Sequence, residues 1–203
     1  METFTDWTPT EKNLTQKGYH VKRFPSADRA TQYLCDVCRD STVGFGDSMT
    51  LLRMGLYEAL SRLNTVPDPQ HPADGMDFLK TAAKCLSTEY FFTSANAVAQ
   101  TGEIVNIDGS GNRIAGSLFG HKKVFFIITP DKLAPSLEQA IWLARNVAAP
   151  QNARRLGLTT PCALGEMRCY DCSSPERICS AMCVHFKAIN DMESHVIFVD
   201  TRP

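Results

Sequence analysis

The chain has 203 residues, of which 43% are hydrophobic and 21% charged, and its formal net charge is -1. These proportions are ordinary for a globular protein, and the length fits one domain over residues 1–203. A near-neutral chain has no general attraction to nucleic acid, and no apolar run approaches the roughly 20 residues of a membrane helix. The polar N-terminus does not resemble a signal peptide. We therefore expect a cytoplasmic protein with no nucleic-acid or membrane partner.

Strand-like and helix-like segments alternate along the chain, which predicts an α/β fold with a mostly parallel sheet covered by helices. The best strand is KVFFIIT, because a continuous β-branched and aromatic run suits a sheet that is covered on both faces. Strands are predicted at residues 19–24, 42–45, 90–93, 103–107, 123–129 and 195–199. Helices are predicted to begin at Ser26, after Gly46, at Gly75 and at Ser136.

Apolar spacing supports these helices. Ser26 can cap the first helix, in which apolar residues recur every three or four positions. On the second helix one apolar face is formed by Leu52, Leu56, Ala59 and Leu63. Residues 64–75 hold three prolines and are predicted to form a loop.

The first glycine-rich turn, GFGDSMT, joins a predicted strand to a predicted helix. Gly44 and Gly46 allow close approach of a ligand to the backbone, and Ser48 and Thr50 add hydroxyl groups. Free N–H groups at the start of the helix suit a carboxylate or phosphate. The alternative is a purely structural turn in which Asp47, which would repel an anion, caps the helix.

The second glycine-rich turn follows the predicted strand at 103–107. It brings together polar side chains from Asn96, Asn106, Asp108, Asn112 and Arg113, and Gly109 and Gly111 free the backbone between them. One interpretation is a well-made loop, since Asn and Asp are natural turn residues. The other is a pocket for a small polar or anionic ligand, with Asp108 as the candidate general base. A third polar group, Asn146, Asn152, Arg154 and Arg155, would close the same pocket or cap two helices.

Five of the eight cysteines lie between Cys162 and Cys183. Thiols are normally reduced in the cytoplasm, so this clustering favours a metal site over a disulfide framework. Cys169 and Cys172 have the spacing at which two thiolates bind one metal centre, and Cys162 and Cys179 flank them at equal distance. Such a set suits zinc or an iron–sulfur cluster. The alternative is a group of reduced, idle thiols.

The other thiols and nearby groups are less informative. Pro175 is predicted to start a short helix that would place Cys179 and Cys183 one turn apart, and His185 is close enough in sequence to be a spare ligand. Cys35 and Cys38 share one face of the first helix. Core packing explains that pair better than a redox role.

Four segments in the same order resemble the LUD (lactate-utilisation) domain family: GFGDSMT, TSANAVAQTGEIVNIDGSGNRIAGSLFGHKKVFFI, NVAAPQNARRL and TPCALGEMRCYDCSSPERIC. The resemblance implies a fold like that of the sugar-phosphate isomerase and CoA-transferase superfamily. The ligand-binding positions that it implies are Gly44, Gly46, Ser48, Thr50, Asn96, Thr101, Gly102, Asn106, Asp108, Gly109, Gly111, Asn112 and Arg113. One branch of the family has a similar four-cysteine tail, which implies Cys162, Cys169, Cys172 and Cys179 as metal ligands.

The resemblance also implies a context, bacterial oxidation of lactate or another organic acid, in which iron–sulfur dehydrogenase subunits are the expected partners. One hypothesis is an accessory protein with an anionic-ligand pocket and an iron–sulfur or zinc site. The alternative is a CoA-transferase-like or cyclo-ligase-like enzyme acting on a small anionic substrate, with the cysteines holding a structural zinc. Self-association, the ligand and any reaction are left open by the sequence.

Overall fold

A five-stranded parallel sheet forms the centre of the computed structural model, which describes residues 6–69 and 72–200. The strands in chain order are β1 (His20–Phe24), β2 (Val43–Phe45), β3 (Tyr90–Ser94), β4 (Ala97–Ala99), β5 (Ile104–Asp108), β6 (Lys123–Ile128), β7 (Leu133–Ala134), β8 (Ala181–His185) and β9 (Glu193–Val199). The central sheet has the order β1-β9-β6-β3-β2. A second, mixed sheet has the order β7-β4-β5-β8.

Short helices surround the two sheets. They are α1 (Thr8–Gln16), α2 (Ala27–Val37), α3 (Met49–Arg53), α4 (Leu56–Ser61), α5 (Phe78–Cys85), α6 (Asn112–Leu118), α7 (Leu137–Leu143), α8 (Ala149–Arg155) and α9 (Pro161–Leu164). A 3₁₀ turn at Pro130–Lys132 follows β6, and a π-helical turn at Ala144–Ala148 joins α7 to α8.

Successive side chains of β6 point to opposite faces of the central sheet and pack against different elements. Phe125 and Ile127 point to the side covered by α2, α3 and α4, whereas Val124, Phe126 and Ile128 point to the second sheet. Every one of these side chains is at most 1% exposed. The predicted strand KVFFIIT is therefore confirmed as a central strand that is covered on both faces. A third apolar layer lies between the second sheet and α7.

The expected α/β class and the mostly parallel sheet are confirmed, and each of the six predicted strands corresponds to an observed one. The prediction of one continuous second helix was wrong, because Gly55 (φ 60°) divides it into α3 and α4. Leu52 is 39% exposed and Leu51 and Leu60 are buried in its place, whereas Leu56 is buried as predicted. The third helix begins at Phe78 rather than Gly75, with the Asp77 side chain accepting from the Lys80 N–H.

Other predictions also needed correction. The helix predicted at Pro175 is absent, since the fully described residues 165–180 carry no helix or strand, and Cys183 lies in β8. The helix predicted from Ser136 to Val147 is interrupted by the π-helical turn. The proline-rich loop at 64–75 is irregular where it is described, while Gln70 and His71 lie outside the described residues.

Candidate functional site

A cavity of about 1210 Å³ opens at the C-terminal ends of β2, β3 and β6. Parallel strands present their carboxyl ends to one edge of the sheet, where the loops that follow them form a crevice. The end of β5 and the helix α8 complete the wall. The predicted ligand-binding residues that line the cavity are Ser48, Thr50, Asn96, Asp108, Gly109, Asn112 and Arg113.

The glycine turn after β2 is shaped by close packing. A Cβ atom on Gly44 would lie 2.5 Å from the Cys85 carbonyl oxygen, and one on Gly46 would lie 3.1 Å from Cγ of Arg113. Ser48 is the N-cap of α3, and its Oγ accepts from the Thr50 N–H at 3.2 Å. These contacts give both glycines a packing role and place the two hydroxyl-bearing side chains at the rim of the cavity.

Two asparagines join the end of β3 to β5. Oδ1 of Asn106 accepts from the Asn96 N–H at 3.0 Å, and Oδ1 of Asn96 accepts from the Ile107 N–H at 2.6 Å. Asn106 is fully buried and its Nδ2 donates to the Ser94 carbonyl at 3.3 Å. Asn106 therefore positions the wall, and only Asn96 of this pair reaches the cavity.

Asp108 is buried at the end of β5 and pairs with Arg113, a half-buried residue of α6. Oδ2 of Asp108 accepts from the backbone N–H groups of Arg113 and Ile114 at 2.9 and 3.1 Å. Its Oδ1 lies 3.7 Å from Nε of Arg113, whose Nη2 donates to the Ile107 carbonyl at 2.6 Å. Both carboxylate oxygens are thus engaged, which favours a positioning role for Asp108 over that of a general base.

Lys132 lines the same cavity and was not among the predicted site residues. It lies in the 3₁₀ turn after β6, and its Nζ donates to the Ala95 carbonyl at 2.7 Å. Burial lowers the pKa of Lys132 to about 8, Asp131 opposes the shift, and the Arg113 and Arg53 guanidinium groups add to it. A lone lysine after a strand carries no motif, so the only available sequence signal was its place at a strand end.

The third polar group divides between two places. Asn152 and Arg155 of α8 line the cavity, and both Nε and Nη2 of Arg155 donate to Oδ1 of Asn152 at 3.0 and 2.8 Å. Arg154 points elsewhere and donates to the carbonyls of Ala163 and Gly165. The Asn146 side chain accepts from the Cys169 N–H at 3.1 Å. Half of this group therefore supports the cysteine-rich segment instead of the cavity.

The remaining ligand-binding positions implied by the family do not line the cavity. Thr101 and Gly102 precede β5, where the Thr101 hydroxyl donates to Glu103 and Gly102 packs against the Lys17 side chain. Gly111 is the N-cap of α6 and has a φ of 85°, which favours glycine. Their roles in ligand binding stay predictions.

Arginines contact two of the sulfur atoms in the cysteine-rich segment, residues 162–183. Nε of Arg177 lies 3.1 Å from Sγ of Cys179, and Nη2 of Arg145 lies 3.6 Å from Sγ of Cys169. These four residues line a second cavity of about 270 Å³. Sγ of Cys162 contacts the Thr160 hydroxyl at 3.3 Å, and the Cys172 carbonyl accepts from Arg177.

This arrangement does not form a ready-made metal site. Among the described residues, no three His, Cys, Asp or Glu side chains are grouped closely enough to hold a metal ion. Cys169 and Cys179 share a cavity, but two thiolates fall short of the four ligands of a structural zinc or iron–sulfur site. His185 is buried, with Nε2 3.2 Å from the Ser117 hydroxyl and Nδ1 3.8 Å from Sγ of Cys183.

The cysteines outside this segment pack in the core. Cys38 is fully buried and Cys35 packs against the same cluster, as the helix face predicted. Burial raises the pKa of Cys38 to about 12 and that of Cys85 to about 11, which keeps both thiols protonated.

Comparison with known proteins agrees with the fold. A family model for the LUD domain matches residues 8–199. A DUF162 family protein from Deinococcus radiodurans has a similar solved structure, with a TM-score of 0.54 and 13% sequence identity over 95% of this chain and 94% of that one. At this identity the similarity concerns the fold alone. No curated protein matches the sequence. Within residues 6–69 and 72–200, no helix has the length and apolar character to cross a membrane.

Proposed function

Because the chain belongs to the LUD domain family, we propose that it binds a small anionic organic acid in the cavity at the strand ends. The family name points to lactate or organic-acid utilisation as the context. In this proposal the domain is an accessory protein of such a pathway, and its ligand is an intermediate that the pathway's enzymes produce or consume.

The charge of the cavity wall is the observation that carries the proposal. Its lining includes four basic side chains, Arg53, Arg113, Lys132 and Arg155, and three acidic ones, Asp47, Asp108 and Asp131. Asp108 is already compensated by a guanidinium and two backbone N–H groups, so the remaining field favours an anion. The volume of about 1210 Å³ is ample for a metabolite-sized acid.

Ligand-dependent thermal stability tests this proposal. Lactate, pyruvate, 2-oxoglutarate and acyl thioesters are added at millimolar concentration, and a bound acid is expected to raise the melting temperature. A hundredfold excess over Kd stabilises the folded state by about 2.7 kcal/mol. Arg113→Ala is expected to abolish the rise. Arg39→Ala is the matched control, because Arg39 is an exposed residue that pairs with Asp36 on the surface.

If none of these acids stabilises the protein, the proposed function is wrong. If stabilisation is equal in Arg113→Ala and in the unmodified chain, the ligand binds elsewhere. The enzyme hypothesis gains little from Asp108, because both of its oxygens are engaged. It would need another reactive group in the cavity.

The proposal has two further parts that are tested separately. One is a metal cofactor bound by the cysteines, and the other is a set of iron–sulfur dehydrogenase subunits as partners. Cys169 and Cys179 would anchor the site, and Cys162 and Cys172 would join them only after residues 162–179 change conformation. When bound, an iron–sulfur cluster would carry electrons and zinc would brace the segment. Iron, sulfide and zinc counted per chain after anaerobic purification decide between them. A protein with none of the three would refute this part and leave the ligand cavity untouched.

A further inference from the structure

Lys132 is placed where a ligand bound at the centre of the sheet edge would meet it. The 3₁₀ turn at Pro130–Lys132 follows β6 directly, and β6 lies between β3 and β9. The hydrogen bond from Nζ to the Ala95 carbonyl, 2.7 Å long, holds the amine across the ends of β3 and β6. It is the one lysine in the described wall of the cavity.

The surroundings of this amine suit a nucleophile. The side chain is partly buried, and the guanidinium groups of Arg53 and Arg113 both oppose its protonation. With the pKa of Lys132 at about 8, roughly a tenth of the amine is neutral at pH 7, which is far more than for an exposed lysine. Desolvation and neighbouring cations are the two features that activate lysine toward carbonyl compounds.

The same two guanidinium groups would attract a carboxylate into the space beside the amine. A ligand that carries a carboxylate next to a carbonyl group satisfies both parts of this arrangement. We propose that Lys132 captures the carbonyl carbon of a 2-oxo acid as an imine, with the carboxylate held beside Arg53 and Arg113. This inference rests on the proposed function, since it assigns the ligand class of the same cavity.

The chemistry needs no oxidant and no added group. The lone pair of the neutral Nζ attacks the carbonyl carbon, and the C=O π electrons move to oxygen to give a carbinolamine after proton transfer. Loss of that oxygen as water, with the two hydrogens of the amine, leaves the C=N bond. Hydride from cyanoborohydride adds to the imine carbon and a proton from water adds to the nitrogen, which gives a stable secondary amine.

Reductive trapping tests the proposal on the full chain. Pyruvate and 2-oxoglutarate are the probes, sodium cyanoborohydride is the reductant, and intact mass followed by peptide mapping is the readout. We expect one adduct per chain, heavier by the mass of the acid less one oxygen atom, on the peptide that contains Lys132. The rate is expected to rise between pH 7 and pH 9 as the amine loses its proton.

Matched variants distinguish imine formation from electrostatic attraction by a cation at position 132. Lys132→Arg keeps the cation but is expected to lose the adduct, and Lys132→Gln removes both. Lys123→Arg is the control, because Lys123 lies in an ion pair with Glu193 outside the cavity and should label as the unmodified chain does. Lactate is the matched ligand control, since it keeps the carboxylate and replaces the carbonyl with a hydroxyl group.

The outcomes distinguish this inference from the proposed function. If 2-oxo acids raise the melting temperature but leave no adduct on Lys132, the imine is wrong and the anion site stands. Equal labelling in Lys132→Arg, or adducts spread over surface lysines, also overturns the imine. If neither stabilisation nor an adduct is seen with any of the acids, both proposals fail.

Discussion

The cavity at the strand ends and the cysteine-rich segment differ in what holds their polar side chains in place. In the cavity wall, Asn106 and Asp108 are buried and bonded to backbone groups of adjacent strands and turns. In the cysteine-rich segment, the thiols of two cysteines contact arginines that are themselves 35% and 43% exposed, and Asp171, which pairs with both arginines, is 74% exposed. Residues 165–180, all described, carry no helix or strand.

This difference shows why the two sites were not equally accessible from the sequence. The register of a parallel sheet fixes which residues meet at the strand ends, so a polar group after one strand necessarily approaches those after its neighbours. Cysteine spacing along an irregular segment gives only chain length between thiols. It leaves their relative positions to local contacts, and in this structure arginines supply those contacts.

The largest effect is expected from Asp108→Ala. This change leaves two backbone N–H groups without their acceptor and removes the carboxylate beside the Arg113 guanidinium. We expect a loss of about 2–3 kcal/mol in the free energy of unfolding, measured by urea denaturation, together with loss of ligand-dependent stabilisation. Asp131→Ala is the control, since that exposed carboxylate lines the same cavity and should change stability by less than about 0.5 kcal/mol. An equal loss of unfolding free energy in the two variants would mean that the cavity wall at Asp108 is no more rigid than the exposed rim at Asp131.

Much of the fold follows from local patterns. The run KVFFIIT identified a buried central strand because its residues are apolar on both faces, and Ser26 identified the start of α2 because it can accept from the Arg29 N–H. Strand β8 was missed, since AMCVH alternates weakly and Cys183 was placed on the helix predicted from Pro175. The break at Gly55 was missed because helical spacing continues through it on either side.

The candidate site was predicted in part. Asn96, Asp108, Asn112 and Arg113 do meet in one cavity. Gly102 does not, although it belongs to the same segment, because it lies before β5 and Asp108 lies at the end of that strand, roughly 20 Å away along extended chain. Lys132 was missed because its position depends on how the turn after β6 folds over the end of β3, which is a tertiary relationship.

Gly109→Ala tests whether the two regions are mechanically separate. A Cβ atom there would lie 2.8 Å from the Ile178 carbonyl oxygen, next to Cys179, so the cysteine-rich segment must shift. We expect a cost of about 1–2 kcal/mol and faster alkylation of Cys179, followed by mass spectrometry. Gly111→Ala is the control: it strains a φ of 85° but meets no atom within 4 Å. It should cost about 1 kcal/mol and leave thiol reactivity unchanged. Unchanged reactivity in Gly109→Ala as well would show that the segment moves independently of the cavity loop.

The smallest effect concerns β8, the strand by which the cysteine-rich segment rejoins the fold. Burial lowers the pKa of His185 below its ordinary value of 6.5, so the unfolded chain binds a proton there that the folded chain resists. The stabilisation is fully present above pH 6.5 and is lost as the pH falls toward the folded pKa. One histidine contributes at most about 1.4 kcal/mol per pH unit.

His185→Gln is therefore expected to flatten the fall in unfolding free energy between pH 6.5 and pH 5. The slope should not vanish, because burial also lowers the pKa of His121 and His195. His121→Gln is the matched control, since that imidazole lies outside β8, where it packs against Phe91 and contacts the Thr88 carbonyl. If β8 shares the rigidity of the cavity wall, both variants flatten the slope alike. If only His121→Gln does, His185 takes up its proton without unfolding the domain, and β8 belongs with the looser cysteine-rich segment.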